Sequence, residues 1–119
     1  MTPEKRIENE ILSFLKSIGC YCWKNQSVGI YDPIKKTFRR SNNVHHIRGV
    51  ADILGILDGR FLAIEVKSAT GRLTDEQRVF LRRINEEGGV GIVGRSAKEV
   101  AAELGKHFPD DEKIRRYYQ

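Results

Sequence analysis

Asp52, Glu65 and Lys67 are the residues whose types and spacing could do chemistry in this chain. Two largely aliphatic runs, Ile53-Leu54-Gly55-Ile56-Leu57 and Arg60-Phe61-Leu62-Ala63-Ile64-Glu65-Val66-Lys67, flank Asp58-Gly59. Asp-Gly between such runs signals a two-residue hairpin turn, because both turn positions must take positive φ. With Leu57 facing Arg60, counting outward pair by pair brings Asp52 opposite Glu65. That pair is of the non-hydrogen-bonded kind, whose side chains stand closer. Two like charges directly opposite each other destabilise a sheet, and a shared divalent cation is the simplest way to reverse the penalty. Alternation along a strand puts Lys67 on the same face as Glu65 and Asp52, while Leu62, Ile64 and Val66 point to the other face as core. On these residues alone, a solvated cluster in which Lys67 neutralises Glu65 stands as the alternative to a metal site.

The flanking sequence supplies elements to hold this hairpin. Thr2-Pro3 opens a helix as a cap followed by proline. Ile7, Ile11, Leu12, Phe14, Leu15 and Ile18 form its apolar stripe, and Gly19 ends it. Glu8 lies beside that stripe and is favoured over Glu10 as the helix carboxylate that reaches the metal. Residues 20–25 read as a first strand with Trp23 packed, and residues 27–39 as a loop or short hairpin. A second helix is expected from Thr74 to Glu87, with Val79, Phe80, Leu81 and Ile84 apolar and Thr74 and Gln77 spaced as a capping box. Gly88-Gly89 stops it before the short strand Val90-Gly91-Ile92-Val93. Ser96 caps a last helix, and residues 108–119 read as a charged tail. The expected fold class is therefore α/β, in the order α-β-β-β-α-β, with a small mixed central sheet between helices.

At 119 residues, 31% charged and 39% hydrophobic, the chain is expected to be one soluble domain over 1–119. No apolar run approaches the ~20 residues of a membrane span, and the first residues lack the apolar core of a signal peptide. Cys20 and Cys22 are too close for an easy bridge and too few for a zinc site, so reduced thiols in a cytoplasmic protein are expected. The net charge of +5 is unevenly placed: residues 33–51 contain no Asp or Glu but hold Lys35, Lys36, Arg39, Arg40 and Arg48. A basic insertion (about 27–48) running directly into Asp52 points to binding of the phosphate backbone of DNA. A solvated loop is the alternative. His45 and His46 lie beside it without a second metal-ligand spacing.

The segments Arg48-Gly49-Val50-Ala51-Asp52, Ala63-Ile64-Glu65-Val66-Lys67-Ser68, Gly71-Arg72-Leu73-Thr74-Asp75-Glu76-Gln77 and Gly88-Gly89-Val90-Gly91-Ile92-Val93 resemble the PD-(D/E)XK nuclease signature. More narrowly they resemble the virus-type replication-repair nuclease (VRR-NUC) domain, which is similar to Holliday junction resolvases. The likeness spans about residues 4–105; the family's proline before the first aspartate is Ala51 here. It implies a restriction-endonuclease-like core and Mg²⁺-dependent hydrolysis of DNA phosphodiesters, with Mn²⁺ substituting. Asp52, Glu65 and the Val66 carbonyl would hold the metal. Glu8, Asp52, Glu65, Lys67 and Gln77 would make the catalytic set, Gln77 contacting a catalytic residue or the attacking water. It also implies a two-fold homodimer acting on branched DNA, a four-way junction above all, in a bacterial or phage-encoded protein of DNA repair or recombination. A flap- or branch-specific nuclease and a non-catalytic DNA-binding module are the alternative functions.

Overall fold

The computed structural model describes residues 1–26, 30–39 and 44–119. Helix α1 (Pro3–Ser17) is capped by the Thr2 hydroxyl, which accepts from the Lys5 N–H, and carries proline in its first turn. Strands β1 (Tyr21–Lys24), β2 (Ile30–Asp32), β3 (Thr37–Arg39), β4 (Ile53–Leu57) and β5 (Arg60–Val66) follow. Then come α2 (Asp75–Glu86), β6 (Val90–Gly94), α3 (Ala97–His107) and α4 (Glu112–Tyr118). The class is α/β: one four-stranded sheet in the order β1-β4-β5-β6, mixed in sense, with helices on both faces. Strands β2 and β3 pair only with each other, as a separate hairpin set between β1 and β4. No helix among the described residues is long and apolar enough to cross a membrane.

The β4–β5 turn has Asp58 at φ 49° and Gly59 at φ 77°, the double positive φ that a twisted two-residue hairpin needs. Register follows, with Leu57 facing Arg60 and Ile53 facing Ile64. Strand β6 runs parallel to β5, and a parallel pair needs a crossover, here α2. The two faces of β5 bury different partners. Leu62, Ile64 and Val66 enter the larger core with α1, α3 and α4, while Ala63 meets Leu81 of α2 and Ala51.

Three expectations are corrected. Trp23 is 41% exposed rather than packed, because β1 is an edge strand and α2, packed on β5 and β6, leaves its part of the α2 face uncovered. Val79 is exposed on α2, whose buried residue is Leu81. The charged tail is a helix packed into the core: Ile114 is fully buried, the Tyr117 ring meets Phe14 at 4.4 Å, and Tyr118 sits against Gly105. Its i, i+3, i+4 apolar triplet carries α4 onto α1 and α3 despite the surrounding charges.

Candidate active site

The site forms at the end of the sheet where β4 begins and β5 finishes. Strand alternation puts Glu65, between the core residues Ile64 and Val66, on the α2 face, where it is 4% exposed. Asp52 stands one residue before β4. Its backbone carbonyl accepts from Asn25 N–H at 2.7 Å, and its Oδ2 accepts from Val66 N–H at 2.8 Å. Those bonds tie Asp52 to β1 on one side and to the end of β5 on the other, so its carboxylate is held beside Glu65.

The approach to Asp52 depends on Gly49. Its φ of 77° belongs to glycine, and a Cβ there would meet Glu76 C and O at 2.5 Å and Gln77 N at 2.7 Å. The chain therefore lies directly on the backbone of the first turn of α2. The same turn positions Gln77. Thr74 and Gln77 form a reciprocal capping box, with Thr74 N–H donating to Gln77 Oε1 at 2.9 Å. The other end of the amide, Nε2, donates to Glu65 Oε1 at 3.0 Å. One side chain thus both caps the helix and orients a carboxylate.

Electrostatically the pair is costly. Burial, then the Asp52 carboxylate beside it, pushes the Glu65 carboxyl up to about 8, with Lys67 opposing. Lys67 Nζ lies 3.8 Å from Glu65 Oε1. Glu65 Oε2 is buried and has no hydrogen-bond partner among the described residues. Buried polar atoms are normally paired, so an unpartnered carboxylate oxygen beside a second carboxylate is a place where a cation would lower the free energy.

Glu8 reaches this end of the sheet from α1 and is 8% exposed. Its Oε1 lies 3.1 Å from Lys24 Nζ, an ion pair outside hydrogen-bond angles. The neighbouring Lys5, then the Glu8 carboxylate, hold the Lys24 ammonium above its usual range, and Asp52 adds to this by charge. The same contact with Lys24 lowers Lys5. Among the described residues, no three acidic, histidine or cysteine side chains gather into a metal-holding group. Asp52 and Glu65 stand together, and Glu8 is ion-paired with Lys24.

Lys24 and Arg95 are site residues that sequence reasoning missed. Arg95 Nη1 donates to the carbonyls of Ser68 and, at 2.8 Å, Gly71. It thereby pins the loop that leaves Lys67, whose own N–H bonds Gly94 O at 3.0 Å. Neither residue has a signal without the strand order: Lys24 matters because β1 pairs with β4, and Arg95 because β6 pairs with β5. Of the expected DNA-binding residues, Lys35, Lys36 and Arg48 are exposed. Arg39 ends β3, and Arg40 lies outside the described residues. Arg48 immediately precedes Gly49 and so is delivered to the first turn of α2. Cys20 and Cys22 are free thiols, and burial pushes Cys20 up to about 12. No protein-family model and no curated protein matches the chain.

Proposed function

We propose that this chain is a divalent-metal-dependent endodeoxyribonuclease of the PD-(D/E)XK, VRR-NUC-like type, acting on branched DNA. The observation that carries the reading is buried Glu65 beside the half-buried Asp52, with an unpartnered Glu65 oxygen and Lys67 at its edge. The Val66 N–H and Gln77 amide bonds leave Glu65 Oε2 unpaired, so the burial of Glu65 beside a second carboxylate is only partly repaid. A donor set of hard oxygens, without thiolate or imidazole, fits Mg²⁺ or Mn²⁺. Asp52, Glu65 and the Val66 carbonyl would hold the ion. When bound, it would supply Lewis acidity to a phosphodiester and acidify a coordinated water.

The chain's own residues do the rest. Gln77 keeps Glu65 in one orientation through its amide, a second contact that limits reorganisation when the site fills. Lys67 places a cation where negative charge grows on a phosphorane and can hold the attacking water by hydrogen bonding. Glu8, through Lys24, sets the position of an ammonium near Asp52. Arg95 fixes the loop behind Lys67. A small mixed sheet with carboxylates at one end, flanked by helices, supports the superfamily reading. A two-fold homodimer with one site per protomer would match two opposed strands of a four-way junction.

The test is incubation with labelled junction, flap, splayed-arm and linear DNA in Mg²⁺, with EDTA and Asp52→Ala controls. Metal-dependent cleavage of branched substrates, lost in the variant, is expected. Activity indifferent to EDTA, or retained by Asp52→Ala, would overturn the assignment.

A further inference from the structure

Strand β1 exposes two aromatic rings on the same side of the sheet as Glu65. The burial of β1 alternates, with Tyr21 74% and Trp23 41% exposed. Cys22 packs against the larger core and Lys24 meets Glu8, so those two occupy the α1 face. Tyr21 and Trp23 therefore lie on the α2 face, opposite Ile56 and Leu54 of β4. Helix α2 packs on β5 and β6 and leaves β1 on this face uncovered; Ile56 of β4 and Phe61, opposite it on β5, are also exposed. Asn25, the next residue of this face along β1, is bonded to Asp52. Trp23 is thus one side-chain row from Asp52 and Tyr21 two rows, each row about 6.8 Å along a strand.

We propose that Trp23 and Tyr21 form a stacking platform for unpaired nucleotides flanking the scissile phosphate. The proposal rests on the nuclease reading only for the position of that phosphate. Aromatic side chains bind successive bases of a single strand by their faces, whatever the base. The row spacing of about 6.8 Å is twice the ~3.4 Å step of a stacked duplex strand, so it suits splayed bases rather than paired ones. The two rings sit 5.8 Å apart at an interplanar angle of 58°, and their exposure leaves ring surface open to a ligand. Charge complements the rings. The acid-free stretch 33–51, with its five Lys and Arg residues, lies in the connection that leaves the sheet after Asn25, just beyond Trp23, and returns at Asp52. A second copy of the chain is the weaker occupant. Four partly covered side chains, Tyr21, Trp23, Ile56 and Phe61, fall short of the roughly 800 Å² per partner of a stable interface.

Trp23 is the chain's one tryptophan, so its fluorescence reports this surface directly. The experiment titrates the full chain, in EDTA to prevent cleavage, with an oligothymidylate strand and with a blunt hairpin duplex, and follows Trp23 emission. Saturable quenching by the single strand but not by the duplex is expected. Tyr21→Ala should weaken single-strand binding on the order of 10-fold, and Trp23→Ala, followed by fluorescence anisotropy of labelled DNA, similarly. Trp23→Phe, which keeps a ring, should retain most of the affinity. Circular dichroism of each variant checks that the fold survives. Equal quenching by the duplex, no quenching by either DNA, or alanine variants that bind normally would overturn the platform. Emission that changes with protein concentration alone, together with dimers in sedimentation that Tyr21→Ala dissolves, would assign the patch to self-association and overturn it too. Cleavage assays in Mg²⁺ separate the two readings: cleavage without quenching rejects only the platform, and quenching without cleavage rejects only the nuclease.

Discussion

At the scale of single residues, Glu65 couples folding to pH. Its carboxyl titrates near 8 in the folded protein because it is buried beside Asp52, against about 4.3 in an unfolded chain. The folded state therefore keeps this proton through a window in which the unfolded state releases it. The stabilising share is complete below about pH 4.3 and is lost as pH rises to about 8. In metal-free buffer the melting temperature should fall between about pH 5 and 8, and Glu65→Gln should remove most of that fall. An identical pH slope in wild type and variant would show that Glu65 is not the titrating group. Mg²⁺ should raise the melting temperature by binding the native state, and Asp52→Ala should lose that response, as calorimetry with and without the ion can read. Lys67→Ala should leave the fold intact while lowering turnover by two orders of magnitude or more, the usual scale for one electrostatic group at a reacting centre. Near-normal turnover in that variant would remove Lys67 from the site.

Among elements, the junction between the β4 approach and the first turn of α2 controls the site. Gly49 combines a left-handed backbone with backbone contact on Glu76 and Gln77, so Gly49→Ala adds both strain and overlap. Strain of this kind costs of order 1–3 kcal/mol and overpacking a similar amount, so a loss of about 2–4 kcal/mol is expected by urea denaturation. Gly88 offers a comparison, since it has φ 89° but nothing within 4 Å of where a Cβ would stand. Gly88→Ala should cost only the backbone share, roughly 1 kcal/mol. Equal costs at the two glycines would refute the close docking on α2. At the other end of the loop after Lys67, Arg95→Met should free the Ser68 and Gly71 carbonyls. Its expected effect is faster amide exchange across that loop.

For the whole molecule, the expected behaviour is that of a small basic protein whose charge is concentrated before the site. Replacing Lys35, Lys36, Arg39 and Arg40 by alanine should weaken DNA binding and flatten its salt dependence. Each lost phosphate contact should lower the log-log slope by roughly 0.9. An unchanged slope would place the DNA path elsewhere. If two copies associate about a two-fold axis, a four-way junction should receive paired symmetric nicks, and light scattering should return twice the chain mass. A monomer that prefers single-branched flaps would reject the resolvase form of the proposal while keeping its chemistry.

The hairpin and its register were legible in the sequence because they depend on local terms. Asp58-Gly59 demands one kind of turn, and a period of two then dictates which residues face each other. The α1 stripe, the α2 capping box and the α/β class were readable for the same reason. Tertiary structure alone decided what depends on which strands are neighbours. It placed β1 at an edge, exposing Trp23 where hydrophobicity argued for burial, and brought Lys24 beside Glu8 and near Asp52. It drew α4 into the core from a segment whose charges masked one apolar triplet. It also turned Gln77 from a helix cap into a partner of Glu65, since a capping side chain has a second end and only the packing of α2 on β5 determines what that end meets. Contacts made across elements have no sequence period, and it is these contacts that bury Glu65 beside Asp52 with one of its oxygens unpaired.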